Sequence, residues 1–328
     1  MDMSPQTSEP ESPLDRVQLR FLVGPTGSGK SGLGVELARR AAGRGASVEI
    51  IALDSMTVYR GLDVGTAKPA AEERGGITHH LVDVADPADR FDLQAYVTLV
   101  EETLAGMEER GAVPLFVGGT GLYLAALVRG LFQGPPIDRA LRERLEAEAA
   151  GGGLEQQRAR LETVDPDAFA RIHAGDARRT IRALEVYEQT GVPLSEHQRQ
   201  WAAQRGGHKG ARELRARIAG LELPTDVLDE RIRERTAQML DGGWPEEARA
   251  LVEAGAMGPS AGQALGYSTA AALGRGEIGR EDALDEIALR TRQFARRQRT
   301  WFRKFDVAQV DPRGPRVLEA LEDALELR

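Results

Sequence analysis

The chain has 328 residues, with 43 basic and 51 acidic side chains, a formal net charge of −8 and no cysteine. Lack of cysteine excludes disulfides, thiolate metal sites, iron–sulfur clusters and cysteine nucleophiles, and it fits a reducing cytoplasm. No apolar run approaches the roughly 20 residues that cross a bilayer, and the acidic balance argues against nucleic-acid binding unless basic residues cluster locally.

Residues 1–16 begin MDMSPQTSEPESPLD, acidic and rich in Pro and Ser, and are expected to form a disordered tail without signal-peptide character. Residues 17–23 (VQLRFLV) read as a first strand ending at a glycine. A helix is expected over 30–42, with Leu33, Leu37 and Ala41 on one face. Residues 48–53 (VEIIAL) read as a second strand ending at Asp54, 93–110 as a helix, and 113–117 (VPLFV) as a third strand. Strands alternating with helices predict βαβ units and a parallel sheet. Beyond residue 131, charged, Ala-rich helical stretches run to about Trp201, followed by a linker at 204–210. A strand could return at 214–223, and the remainder reads as helical. The expected organisation is an α/β core over 17–130 and 205–328, with a parallel sheet flanked by helices and a helical C-terminal part. An all-helical insertion over 131–204 interrupts it.

The sharpest motif is Gly24, Pro25, Thr26, Gly27, Ser28, Gly29, Lys30 and Ser31, which matches G-x-x-x-x-G-K-[ST] between a strand and a helix. Glycines let successive backbone N–H groups point inward; the helix N-terminus and Lys30 add positive charge, and Ser31 can ligate Mg²⁺. The loop specifies a polyphosphate without saying which. The 113–117 strand runs into Gly118, Gly119 and Thr120, where a nucleotide hydrolase usually has a metal-organising Asp. Asp54 ends the second strand, at the edge where parallel sheets open their binding crevice, and reads as a general base, a Mg²⁺ organiser or a helix cap.

Further along, the stripe Leu228, Ile232, Met239 places Arg235 on the inward face of a helix, where a buried charge needs a partner. A bound diphosphate and an internal carboxylate are both candidates. Arg178, Arg179 and Arg182 form a compact patch on a helix with an Asp cap and a Gly stop, which as a pattern is also that of a solvated face. Residues 287–305 carry the stripe Ile287, Thr291, Phe294, Gln298, Trp301, Phe305, flanked by basic residues with no acid after Glu286. That suits a nucleic-acid backbone or an acidic neighbouring surface. His79 and His80 are adjacent on a strand and point to opposite faces, so they are not expected to share a metal ion.

Together these segments resemble the tRNA dimethylallyltransferase (tRNA isopentenyltransferase) family, in the bacterial form that lacks a Cys/His zinc finger. The matching stretches are GPTGSGKS at 24–31, DSMTVYRGLDVGTAKP at 54–69, HHLVDVADP at 79–87, GGTGLY at 118–123, RRTIRALEVYEQTG at 178–191, QALGY at 263–267 and RRQRTWFRKF at 296–305. The resemblance implies a P-loop NTPase-like core with a helical insertion and a channel between them. Dimethylallyl diphosphate would enter one end, and the anticodon stem-loop of a tRNA would present a flipped adenosine at the other. That base is adenosine 37, in tRNAs reading codons that begin with U. Its exocyclic amine attacks the allylic carbon and diphosphate leaves.

By the same resemblance, the phosphate loop, Lys30, Thr26 and Arg235 hold the diphosphate, Ser31 holds Mg²⁺, and Asp54 accepts the proton. The implied tRNA contacts are Asp54, Ser55, Met56, Thr57, Thr120, Arg142, Arg178, Arg179, Thr180, Ile181, Arg182, Gln263, Ala264, Leu265, Gly266, Tyr267, Ser268, Arg296 and Arg297. The protein is expected to be a cytoplasmic monomer without membrane association. The departures are Gly27 for a common alanine, Ser31 for threonine, and Ser268 where many members carry a basic residue. The competing readings are a P-loop small-molecule or nucleoside kinase, a nucleotide-dependent RNA-binding switch, and a prenyltransferase acting on free adenine nucleotides.

Overall fold

The computed structural model describes residues 12–130, 134–204 and 211–328. Six strands, β1 (Arg20–Val23), β2 (Val48–Leu53), β3 (His79–His80), β4 (Val113–Gly118), β5 (Arg217–Leu221) and β6 (Ala308–Val310), form one sheet. Its order is β3-β2-β4-β1-β5-β6, and every pairing is parallel. All six residues of β2 are buried. Alternate side chains point to opposite faces, so a strand buried throughout must be covered on both sides.

The chain divides into two compact units, one running to Arg129 and resuming at Ala211, the other spanning Gly130–Gly210. In the first, α1 (Pro13–Arg16), α2 (Lys30–Gly43), α3 (Ala71–Arg74), α4 (Leu93–Glu109) and α5 (Gly121–Arg129) precede the break. Val35, Leu37 and Ala41 of α2 cover one face of the sheet over Ile50, Leu115 and Val117. Tyr96, Val100 and Leu104 of α4, with Leu124 and Leu127 of α5, cover the other over Phe21, Ile51 and Phe116. The second unit holds α6 (Arg139–Glu148), α7 (Leu154–Val164), α8 (Pro166–Arg171), α9 (Ala177–Thr190) and α10 (Leu194–Gln204), with no strand among its described residues. Its interior is built on Leu145, Leu161, Ala168, Ile181 and Leu184. The first unit then continues with α11 (Ala211–Arg215), α12 (Thr225–Asp241), α13 (Trp244–Glu253), α14 (Tyr267–Gly274), α15 (Arg280–Phe302) and α16 (Val317–Leu325). A separate cluster joins Trp244, Tyr267, Ala270 and Ile287 of this region to Val58, Tyr59 and Leu62 in the segment after β2. Among the described residues, no helix is long and apolar enough to cross a membrane.

The structure departs from sequence expectation where tertiary partners decide. The tail expected over 1–16 gives way to α1, in which Leu14 is buried and Asp15 pairs with Arg212 at 2.7 Å; residues 1–11 lie outside the described set. The C-terminal part is not wholly helical, because β6 pairs with β5; a three-residue strand is too short to show a period. On α15 the buried positions are Ile287, Thr291, Ala295, Gln298 and Phe302, while Phe294 is exposed and Phe305 lies beyond the helix. The linker residues 205–210 lie outside the described residues.

Candidate active site

The phosphate loop lies between β1 and α2. Gly27 and Gly29 sit at φ 83° and 88°, the left-handed region open to glycine. The curl delivers Lys30 to the first position of α2, and its ammonium reaches back to the Pro25 carbonyl at 3.4 Å. Burial and the neighbouring Arg235 guanidinium pull the Lys30 pKa down to about 8, with Asp54 opposing. Ser28 Oγ is buried without a hydrogen-bond partner among the described residues.

Arg235 projects from α12 toward this loop and donates to the Thr26 hydroxyl. Within the protein its partner is thus a loop hydroxyl and not an internal carboxylate. The buried stripe of α12 is Leu228, Ile232, Thr236 and Leu240, and Arg235 and Met239 lean off it to line a cavity. Arg235 Nε has no hydrogen-bond partner, and burial lowers its pKa. Thr26 in turn donates its backbone N–H to Gln298 Oε1 at 2.8 Å, and Gln298 Nε2 donates to the Gly119 carbonyl at 2.9 Å.

Asp54 leaves the end of β2 beside the loop. Its Oδ1 accepts the backbone N–H groups of Met56 at 2.8 Å and Thr57 at 3.3 Å, which fixes the turn. The chain from 54 to 69 is then stapled down. Lys68, with 4% of its side chain exposed, donates to Asp63, to Asp83 and to the Tyr59 carbonyl at 2.7 Å. Glu247 of α13 accepts three successive N–H groups, Asp63 at 3.1 Å, Val64 at 2.8 Å and Gly65 at 3.2 Å, together with the Tyr267 hydroxyl at 2.7 Å. Three amides converging on one carboxylate form a rigid backbone cradle.

These elements enclose a cavity of about 440 Å³, all of it within the first unit. Its polar lining includes Thr26, Lys30, Ser31, Asp54, Thr120 and Arg235; its apolar lining includes Met56, Met239, Trp244, Leu265, Ile287 and Phe294. Of the remaining site residues expected from sequence, Ser55, Thr57, Gln263, Ala264, Tyr267 and Arg297 also line it. Arg297 places its guanidinium 5.8 Å from the Phe294 ring centroid. Gly24, Pro25, Gly27, Ser28 and Gly29 supply loop backbone and do not line the cavity. Gly266 packs against Trp244, and Ser268 and Arg296 are exposed.

The remaining expected residues lie in the second unit. Arg142 donates to Glu185 at 2.5 Å and Arg182 at 2.9 Å, and the Glu185 side chain is fully buried. Those two arginines are thus partly exposed, at 20% and 29%, while paired with a buried carboxylate. The Thr180 and Ile181 side chains are buried. Arg178 and Arg179 are exposed. The residues that sequence reasoning missed are His79, Met239, Trp244 and Glu247, together with the tethering role of Gln298. His80, meanwhile, turns from the cavity to pair with Glu49 at 2.6 Å. Glu247 and Gln298 carry no local signal, because each acts through partners distant in sequence.

A phosphate loop at the edge of a parallel sheet, with two cations, a carboxylate and an apolar wall around one cavity, defines a P-loop α/β enzyme that acts on a polyphosphate. A family model, IPP transferase, matches residues 57–305. A tRNA dimethylallyltransferase of Syntrophobacter fumaroxidans is 40% identical over 92% of this chain and 87% of its own length. One from Corynebacterium glutamicum is 41% identical over 92% of this chain and 96% of its own. Among solved structures, the tRNA isopentenylpyrophosphate transferase of Bacillus halodurans aligns with a TM-score of 0.64 at 34% identity, covering 94% of this chain and 98% of that one. A eukaryotic dimethylallyltransferase acting on tRNA aligns at a TM-score of 0.72 and 27% identity, covering 90% and 74%. The chain belongs to the IPP transferase family. The kinase reading is set aside.

Proposed function

We propose that the protein transfers a dimethylallyl group from dimethylallyl diphosphate to the exocyclic amine of adenosine 37 in tRNA. The observation that carries this is the single cavity in which diphosphate-binding cations, a carboxylate and an apolar wall meet. The N6–C1 bond forms as the C1–O bond breaks, and the electron pair leaves with the diphosphate. Lys30, Arg235 and the loop amides stabilise the charge that develops there. The proton lost by the amine goes to Asp54, whose Oδ1 is held by the turn and whose second oxygen is left to accept it. Met56, Met239, Trp244 and Ile287 offer the apolar surface that the five-carbon chain requires.

The residues also fit Mg²⁺. A magnesium ion takes one or two protein oxygens, with substrate phosphates and water filling the rest. The Ser31 hydroxyl and the Asp54 carboxylate line the same cavity. Bound there, the ion would neutralise diphosphate charge. Arg178 and Arg179, and the exposed Arg296 and Arg297, are the cations we assign to the anticodon stem-loop. The tRNA substrate supports a cytoplasmic setting.

The test is incubation with radiolabelled dimethylallyl diphosphate, Mg²⁺ and unmodified tRNA, with AMP replacing tRNA in a parallel reaction. Label is expected in tRNA and lost in Lys30→Ala. Label in AMP alone would change the acceptor, and label in neither would overturn the assignment.

A further inference from the structure

We infer that Gln298 is a positioning residue which sets the donor side of the cavity against the acceptor side; this rests on the transfer reaction proposed above. Its side chain is buried, 5% exposed, on the inward face of α15. Both ends of the amide are spent on backbone. Oε1 accepts the Thr26 N–H at 2.8 Å, and Nε2 donates to the Gly119 carbonyl at 2.9 Å. Thr26 belongs to the phosphate loop and carries the hydroxyl that receives Arg235. Gly119 precedes Thr120, which lines the cavity and is itself held by its N–H to the Leu53 carbonyl at 3.1 Å.

One rigid amide therefore joins the loop that grips the diphosphate to the turn beside the acceptor. The residue type follows from the task. The position needs one acceptor and one donor at fixed separation in a buried place; glutamate lacks the donor, lysine lacks the acceptor, and asparagine is a methylene short. The Thr26 N–H is spent on Gln298 and the Ser28 N–H on the Pro25 carbonyl at 3.2 Å, so phosphate must be met by the other amides of the loop, which fixes how deep the diphosphate sits. The fit leaves no slack: a Cβ on Gly119 would lie 2.1 Å from Gln298 Nε2. A displacement of about 1 Å between reacting atoms costs roughly a hundredfold in rate.

The experiment measures kcat and KM for both substrates in the full-length protein, with thermal unfolding as a control for folding. Gln298→Met keeps the volume and removes both hydrogen bonds. It is expected to lower kcat about 10- to 100-fold while KM for dimethylallyl diphosphate and for tRNA stays within about threefold. Gln298→Glu supplies a pH readout that packing alone would not give. Its ionised carboxylate repels the Gly119 carbonyl, whereas the protonated acid donates to it, and burial raises the pKa of such a group. The ratio of Gln298→Glu to wild-type kcat should rise about tenfold from pH 8 to pH 6. If Gln298→Met fails to fold, Gly119→Ala presses on the same contact from the other side, and its effect should not add to that of Gln298→Glu. Wild-type kcat in Gln298→Met, a loss confined to KM, or a flat pH ratio would overturn the assignment. Wild-type protein that puts no label into tRNA would instead overturn the proposed function.

Discussion

The ionisation of Lys30 gives a direct measure of whether the cavity was built for a diphosphate. In the free protein its pKa is drawn down to about 8 by burial and by Arg235. At pH 9 only about a tenth of the molecules should carry the Lys30 proton. A diphosphate seated on the loop puts negative charge beside the ammonium and favours its protonated form. Binding at pH 9 should therefore take up about 0.9 proton, and binding at pH 7 about 0.1. At pH 9 an alkyl diphosphate has already lost its last proton, since such groups titrate near pH 6, so the uptake there belongs to the protein. Above pH 8 the affinity should fall by up to about tenfold per unit.

The assay is calorimetric titration with dimethylallyl diphosphate in two buffers of different ionisation enthalpy, at pH 7 and pH 9, on wild type and Lys30→Met. Uptake at pH 9 equal to that of Lys30→Met would refute the reasoning. The same depression acts on stability. Between about pH 8 and 10.5 the unfolded chain binds more protons at this residue than the folded one, so its contribution rises with pH across that window.

Three further outcomes follow from the geometry. Asp54→Asn keeps the turn that Oδ1 caps but removes the base, so kcat should fall by about 10²- to 10⁴-fold with little change in melting temperature; a loss confined to tRNA Kd would make Asp54 a binding group only. Replacing Arg296 and Arg297 with Gln should reduce the slope of log K against log salt by about 0.7–0.9 for each phosphate no longer neutralised, read from fluorescence anisotropy of an anticodon stem-loop RNA; an unchanged slope would remove them from the RNA face. Glu49, held down to about 2 chiefly by its hydrogen bonds to Arg110 and also by those to His80, contributes stability that is full above its ordinary value of 4.5 and is lost as pH falls toward 2. That shift is worth at most about 3 kcal/mol, and solvent around Arg110, 45% exposed, cuts it to about 1–2 kcal/mol. Urea midpoints of Glu49→Gln and wild type should thus differ most at pH 6, differ less at pH 3, and converge only as pH falls to 2.

What the sequence made legible is what is local. Strand β2 can be read to the residue because its run of five apolar residues and one acid, Glu49, stops at Asp54. The phosphate loop announces itself through glycines whose backbone angles demand them. Arg235 is visible as a charge on an inward face, but its partner is not, because Thr26 stands 209 positions away. Glu247 offers no signal at all, since an acid in the first turn of α13 is an ordinary helix residue until the loop at 63–65 is laid across it. The ion pair of Arg182 with Glu185 is equally hidden, because a basic patch looks the same in sequence whatever it faces.

The end of β4 shows why this P-loop serves carbon rather than phosphorus chemistry. Phosphoryl-transfer enzymes of this class commonly place a metal-organising Asp there. Here a Cβ on Gly118 would lie 2.1 Å from the Leu53 carbonyl oxygen, and one on Gly119 2.1 Å from Gln298 Nε2. No carboxylate can stand at either position without displacing backbone or the Gln298 tether. The acid of the site comes instead from the end of β2, as Asp54, aimed at the cavity and fixed by its own turn. Phosphoryl transfer needs charge around the phosphorus under attack. Allylic transfer moves the whole diphosphate away from a carbon, so it needs cations at the departing group and one base at the nucleophile. In the proposed reaction, Lys30 and Arg235 are assigned the first task and Asp54 the second. The close backbone approach at Gly118 and Gly119 leaves the space between them to the substrates.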